Sequence, residues 1–72
     1  MKYRRKNRWV LVTEDGDYSI VKMAKRCYHI KKHNGDGWGL GEYILDSDGD
    51  IATFFWLKTA KEYIENNFYE GR

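Results

Sequence analysis

The sequence contains no proline, a single cysteine and no long apolar run. The last two features each exclude a class of protein. Because Cys27 is alone, no disulfide can form within the chain, which is typical of a reducing compartment. No apolar stretch approaches the roughly 20 residues that a membrane-spanning helix needs. The basic N-terminus is not followed by the apolar segment of a signal peptide. We therefore predict a cytoplasmic protein that has no membrane partner.

The chain also lacks a complete motif for catalysis or zinc binding. Three side chains have the chemistry of zinc ligands, namely Cys27, His29 and His33, but no fourth ligand stands at finger-like spacing. No nucleophile motif surrounds Cys27, and so short a chain has little room for a cleft beside its core. We therefore predict that the protein is not an enzyme and has no zinc site.

Two further segments resemble ligand-binding motifs only in part. Segment 46–50 resembles the first half of a calcium loop, yet Ile51 and Leu57 occupy the positions of its glycine and glutamate. Segment 34–41 is rich in glycine, but its spacing does not match the fingerprint of a dinucleotide site. We therefore predict a hairpin turn at 46–50, a flexible turn at 34–41, no metal and no cofactor.

Aromatic residues supply the material for both a core and a binding surface. The 72 residues suffice for one domain and include three Trp, six Tyr and three Phe. Each such ring buries roughly 150–250 Å² when it is packed, and Trp and Tyr are also common anchors at interfaces. We predict a basic arm over residues 1–7 and a single globular domain over residues 8–70.

Charge is distributed unevenly along the chain although the net charge is only +2. Residues 1–33 contain ten Lys or Arg and three acidic residues, a balance of +7. Residues 34–72 contain three Lys or Arg and eight acidic residues, a balance of −5. If the halves of the sequence occupy different halves of the surface, the molecule is a strong electrical dipole.

The first half of the chain predicts a strand, a turn and one ambiguous segment. Residues 8–13 are β-branched and aromatic, which favours a strand, and residues 14–17 have turn composition. On a helical wheel, segment 18–32 separates apolar residues from cationic ones, which predicts an amphipathic helix. The run Tyr28-His29-Ile30 also allows a strand.

The second half predicts a hairpin and a helix. Two apolar runs, 42–45 and 51–57, flank an Asp-Gly turn, which indicates a β-hairpin. Thr59 and Glu62 have the spacing of a capping box, which predicts a helix over 60–68. The expected fold is therefore α+β, in the order β-α-β-β-α with a three-stranded antiparallel sheet. The alternative is a strand-rich meander followed by a C-terminal helix.

One candidate binding surface is aromatic and acidic. Strand 51–57 is apolar on both of its sides, so one side can present aromatic rings to a partner. An acidic rim around such rings suits a basic protein surface, for example a nucleic-acid-binding groove. The candidate contacts with a protein partner are Trp38, Phe54, Trp56, Glu42, Asp46, Asp48 and Asp50.

The other candidate surface is basic and would contact nucleic acid. The arm and the polar face of the predicted helix could together neutralise several phosphates, and Tyr3 and Trp9 could stack on bases. The candidate nucleic-acid contacts are Lys2, Arg4, Arg5, Lys6, Arg8, Lys22, Lys25, Arg26 and Lys32.

The end of the chain resembles a known style of small protein. The stretch Thr53-Phe54-Phe55-Trp56-Leu57-Lys58-Thr59-Ala60-Lys61-Glu62-Tyr63-Ile64-Glu65 looks like the strand-then-helix ending of many small phage and mobile-element proteins. That resemblance implies an accessory protein in the host cytoplasm that binds a macromolecule, such as a stoichiometric inhibitor of a host defence or nucleic-acid-processing complex. The chain is also similar to the sheet-plus-helix DNA-binding modules of phage integrases, although a helix over 18–32 would count against this likeness.

These observations define two hypotheses for a monomer or homodimer. In the first, the protein is a non-catalytic inhibitor that binds a protein partner through the aromatic and acidic residues. In the second, it is a small nucleic-acid-binding module that uses the basic residues.

Overall fold

The computed structural model describes residues 2–33 and 41–69, and within them the fold is a sheet followed by one helix. The five antiparallel strands are β1 (Tyr3–Asn7), β2 (Val10–Thr13), β3 (Tyr18–Ala24), β4 (Cys27–Lys32) and β5 (Glu42–Tyr43). Their order in the sheet is their order in the chain, so the sheet is a meander. The predicted α+β class is confirmed, and the architecture is the strand-rich alternative with five strands rather than three.

The helix predicted over residues 18–32 is wrong, because this segment forms β3 and β4. Ile20 lies directly opposite Ile30 across the two strands, and both side chains are buried. The turn between the strands contains Lys25 and Arg26, and Arg26 adopts a φ of 60°. β-Branched and aromatic residues favour strands, and here their pairing across the ladder outweighed the helical spacing of the apolar positions.

Within the predicted basic arm, Tyr3–Asn7 form strand β1. Tyr3 lies opposite Thr13, and Arg5 lies opposite Leu11. The hydroxyl of Tyr3 donates a hydrogen bond to the Glu65 carboxylate at 3.2 Å, which links the first strand to the C-terminal helix. The tyrosine therefore anchors the segment that we predicted to be an arm.

The C-terminal helix begins earlier than its sequence motif predicts. An α-helical part, α1 (Leu57–Ile64), continues as a π-helical part over Glu65–Tyr69. Trp56 is the N-cap, and no side chain caps the helix there, so the predicted capping box at Thr59 does not form. Within the described ranges, no helix is long and apolar enough to span a membrane.

The edge next to β4 is built from two short pieces separated by a hairpin. β5 pairs with the end of β4, and Tyr28 and Phe54 exchange both backbone hydrogen bonds farther along it, at 2.8 and 3.0 Å. Between these pieces, Leu45 bridges to Ile51 around the predicted turn at 46–50. The strand predicted over 51–57 is therefore reduced to single bridges, and Leu57 belongs to the helix.

The core lies between the helix and the two central strands. Ile64 and Ala60 are fully buried, as are Ile20 of β3 and Ile30 of β4. Near the end of the helix, the ring of Phe68 stacks on the ring of Tyr18 with centroids 4.4 Å apart. Because aromatic rings bury large areas, this stack extends the core to the last turn of a very small domain.

Hydrogen bonds join the end of the helix to the β2–β3 turn. The Tyr69 hydroxyl donates a hydrogen bond of 2.6 Å to Asp15, and Thr13 donates another of 2.6 Å to the same carboxylate. Burial, followed by the hydrogen bond to Asp15, raises the pKa of Tyr69 to about 12. Burial of Asp15 acts in the opposite sense, but these hydrogen bonds outweigh it and lower the pKa of the carboxyl group.

Two glycines provide a matched test of packing at the start of β5. Gly41 and Gly49 both have positive φ, at 65° and 85°. A Cβ on Gly41 would lie 2.6 Å from the ring of His33, whereas a Cβ on Gly49 would meet nothing within 4 Å. We expect Gly49→Ala to cost about 1–2 kcal/mol through backbone strain and Gly41→Ala to cost clearly more. Urea unfolding followed by circular dichroism measures both, and equal losses would contradict the packing of Gly41 on His33.

The Tyr69–Asp15 contact predicts a loss of stability at alkaline pH. The pKa of Tyr69 in the folded protein is above the ordinary value near 10, so its contribution is complete below about pH 10. That contribution is lost as the pH rises toward about 12. Free energies of unfolding measured from pH 8 upward should fall less steeply in Tyr69→Phe than in the unaltered protein. Tyr63→Phe is the control, and an identical slope in all three proteins would be inconsistent with this contact.

Candidate functional site

Six exposed residues meet at one end of the sheet, which we call the turn end. It consists of Arg8 and Trp9 in the β1–β2 turn, Lys25 and Arg26 in the β3–β4 turn, and Phe55 and Trp56 before the helix. The first two turns lie at the same end because the strands of a meander alternate in direction. The Tyr28–Phe54 bridge brings the third segment to the same place.

The aromatic rings of the turn end are accessible to a partner. Trp9 is 51% exposed, Phe55 is 67% exposed and Trp56 is 58% exposed. The guanidinium of Arg8 lies 5.6 Å from the centroid of the Trp9 ring, and the guanidinium of Arg26 lies 5.6 Å from that of Trp56. Both distances are within the range of about 6 Å over which a cation is attracted to an aromatic ring.

A cavity of about 150 Å³ opens beside the turn end, on the face of the sheet that carries the helix. Its lining combines three apolar side chains, two aromatic rings and three cations: Leu11, Ile20, Leu57, Trp9, Tyr28, Arg5, Arg8 and Lys22. Arg5, Leu11 and Ile20 are direct neighbours across β1, β2 and β3. The cavity therefore lies over the strands that the first turn of the helix leaves uncovered.

Backbone hydrogen bonds fix the geometry of this region. The Lys22 amide donates to the Trp9 carbonyl at 2.7 Å, which continues the β2–β3 ladder into the turn. The Trp9 amide donates to the Asn7 side chain at 2.8 Å. The Arg5 guanidinium donates to the carbonyl oxygens of Asn7 and Arg8 at 3.5 and 3.3 Å. The β1 register shifts between Arg5 and Asn7, and such bulges redirect side chains at the ends of strands.

The cations of the cavity and the turn end are not neutralised by carboxylates of the described residues. No acidic side chain lines the cavity, and no described carboxylate forms an ion pair with a cation of this region. The relevant cations are Arg5, Arg8, Lys22, Lys25 and Arg26. Their charges therefore add to one positive field, which attracts anionic ligands.

The structure brings together five of the nine predicted nucleic-acid contacts and separates the rest. The five are the cations just named, which the wrong helical interpretation had placed partly on a helix face. Lys32 ends β4 about 16 Å from the β3–β4 turn, from the rise per residue of a strand. Lys2 precedes β1 at the same distant end, Arg4 faces the other side of the sheet opposite Val12, and Lys6 lies in the β1 bulge.

The predicted protein contacts are not gathered into one surface. Phe54 packs on Tyr63 with ring centroids 5.2 Å apart, and Trp56 lies beside Arg26 rather than in an acidic rim. Glu42 pairs with Lys32 at the opposite end of the sheet. Asp46, Asp48 and Asp50 lie in the exposed hairpin, where the Asp46 carboxylate accepts two backbone hydrogen bonds. Trp38 lies outside the described residues.

Sequence reasoning missed the apolar residues of the cavity, Leu11 and Ile20 among them, and three further contributors. Tyr28 and Leu57 line the cavity, but their contribution depends on strand pairing and on the start of the helix. Phe55 is exposed at the turn end, and the sequence did contain a sign of this exposure. Three consecutive aromatic residues at 54–56 cannot all point into a core that covers one side of an extended chain.

Of the three side chains considered as zinc ligands, Cys27 and His29 are neighbours, whereas His33 has a different partner. Cys27 Sγ lies 4.0 Å from His29 Nε2, which is also 3.3 Å from the Thr53 hydroxyl. His33 is buried, and its Nε2 lies 2.8 Å from the Ser19 hydroxyl. In residues 2–33 and 41–69, no group of three or more potential metal ligands occurs.

Comparisons with known proteins give no relative from which a function could be transferred. No protein-family model, no curated protein and no solved structure matches this chain. The chemistry of the cavity and the turn end is therefore the basis on which a function can be inferred.

The positive field at the turn end predicts charge-selective quenching of tryptophan fluorescence. In a variant with Trp9 as its only tryptophan (Trp38→Phe and Trp56→Phe), we expect iodide to quench more strongly than caesium because cations surround the indole. Arg8→Glu should weaken quenching by iodide and strengthen quenching by caesium, while neutral acrylamide controls for exposure. Equal quenching by the two ions, unchanged by Arg8→Glu, would show that this field is absent.

Proposed function

We propose that this protein is a non-catalytic nucleic-acid-binding module whose contact surface is the cavity together with the turn end. The observation that carries the proposal is the composition of the cavity, which has three cations and two aromatic rings but no acidic side chain in its lining. Phosphates pair with Arg and Lys, and bases stack on aromatic rings, so both parts of a nucleotide find a complementary group.

The distribution of charge supports an anionic partner. Five cations at one end of the molecule have no carboxylate counterpart among the described residues. Binding of a polyanion to such a cluster releases condensed counterions and is therefore favoured at low salt. A solvated surface without this role commonly intersperses charges of both signs.

The architecture is compatible with this proposal. A helix over 18–32 would have counted against the likeness to the sheet-plus-helix DNA-binding modules of phage integrases. That objection does not arise, because the segment forms strands β3 and β4. Likeness in architecture is only a supporting argument, since one fold accommodates many functions.

A second candidate function is inhibition of a host complex through a protein contact. The observation that favours it is the hairpin, where Leu45 is 53% exposed and Ile51 is 39% exposed at the base of an acidic tip. Exposed apolar groups beside carboxylates fit the basic groove of a nucleic-acid-processing protein. This surface is distinct from the turn end, so the two candidate functions can be tested separately.

Salt-dependent binding of nucleic acid is the direct test. We expect the full chain to bind labelled oligonucleotides in fluorescence anisotropy, with an affinity that falls steeply as salt rises. Arg8→Glu and Lys22→Glu should weaken binding and each reduce the magnitude of the salt slope by about 1. Lys32→Glu is the matched control, because it makes the same change of charge at the other end of the sheet.

Two outcomes would contradict the proposal. The first is the absence of binding to DNA and RNA at low salt, which would leave the hairpin as the surface to pursue. The second is an equal loss of affinity in Lys22→Glu and Lys32→Glu, because binding would then depend on net charge rather than on the cavity. Circular dichroism of each variant shows whether the fold is kept.

A further inference from the structure

We infer that the cavity accepts one unstacked base, so that the protein binds single-stranded nucleic acid in preference to duplex. This inference rests on the proposed function and specifies the form of the partner. The cavity, the positions of its cations and the accessibility of its rings each support it.

The volume of the cavity suits one aromatic ring. At about 150 Å³ it matches the size of an engineered protein cavity that holds a benzene molecule. The six-membered ring of a base has similar dimensions, whereas a stacked base pair is much larger. The cavity can therefore take a single base that has left its stack.

The lining of the cavity is suited to the faces of a base more than to its edges. Leu11, Ile20 and Leu57 provide apolar contact, and Trp9 and Tyr28 provide rings for stacking. The lining has no Asn, Gln, Asp or Glu, the side chains that commonly read adenine and cytosine edges. Apart from guanine, whose edge Arg and Lys can contact, we therefore expect binding that tolerates many sequences.

The cations are placed to hold the backbone on either side of such a base. Arg5 uses one terminal nitrogen on the Asn7 and Arg8 carbonyls, and a guanidinium has five N–H donors, so others remain for phosphate. Arg8 and Lys22 stand in the same lining, one in the β1–β2 turn and one on β3. Beyond them, the Arg26–Trp56 pair offers another ring and cation for the next nucleotides of the bound nucleic acid.

Duplex cannot use the cavity without losing base pairing. A paired base is stacked within the duplex and must be unpaired and unstacked to enter the cavity, whereas a base in a single strand is already accessible. Duplex would therefore contact only the cations. The preference for single-stranded nucleic acid over duplex follows from this difference.

The test compares three labelled polymers of twelve units by fluorescence anisotropy with the full chain. They are a thymidylate strand, its duplex with a deoxyadenylate strand, and a strand of abasic deoxyribose phosphates of the same charge. We expect the thymidylate strand to bind at least about tenfold more tightly than the abasic strand, because stacking is lost without bases. We also expect it to bind more tightly than the duplex.

A variant with a filled cavity provides the structural control. Leu11→Trp places an indole where the base would lie and should abolish the preference for thymidylate over the abasic strand, while salt-dependent binding remains. Leu45→Trp makes the same substitution on the exposed hairpin and should retain the preference. If Leu11→Trp does not fold, as judged by circular dichroism, Leu57→Phe fills the cavity from the helix side instead.

The outcomes separate this inference from the function on which it rests. Equal binding of the three polymers, or tighter binding of the duplex, would overturn the single-strand inference and leave nucleic-acid binding intact. An unchanged preference in a folded variant with a filled cavity would also overturn it. Failure of all three polymers to bind at low salt would overturn the proposed function itself.

Discussion

One short helix has to cover a sheet of five strands, and this constraint determines most of what the molecule presents to solvent. The helix buries Ile64 and Ala60 against Ile20 and Ile30 in the central strands. Its 13 residues cannot also cover the corner where β1 and β2 meet. That corner remains as the cavity, with Leu11 in its lining. The site is thus a result of incomplete coverage rather than of an inserted loop or a second domain.

The same architecture places cations from separate parts of the chain at one end of the sheet. The meander returns to the turn end twice in its first half, and each return contributes cations such as Arg8 and Arg26. The β2–β3 turn at the other end contains Glu14, Asp15 and Asp17, and Asp15 is bonded to the last turn of the helix. The carboxylate that fastens the helix and the cations without a carboxylate partner among the described residues are therefore at opposite ends. The hydrogen bonds that fasten the helix thus do not neutralise the proposed interface.

The sequence predicted local features better than it predicted how they combine. The strand near residues 10–13, the turn at 14–17 and a C-terminal helix followed from composition and from short-range motifs. Segment 18–32 did not, because its apolar residues fit both a helical and an alternating period, and only pairing with β2 decides between them. Lys22, Lys25 and Arg26 were recognised as candidate contacts, yet the cavity beside them depends on the contacts of Leu57 and Tyr28 with distant strands. Such contacts leave no local signal.

Strand β1 has one further consequence, which concerns solubility. It forms one edge of the sheet, and an edge strand offers unpaired backbone groups to a neighbouring molecule. Here that edge contains Arg4, Arg5 and Lys6 and is broken by a bulge, two features that discourage strand-to-strand association. Arg5, which lines the cavity, thus also helps to keep the molecules apart in solution. A neutral residue in place of Arg5 would therefore change the charge of the cavity and of the edge strand together.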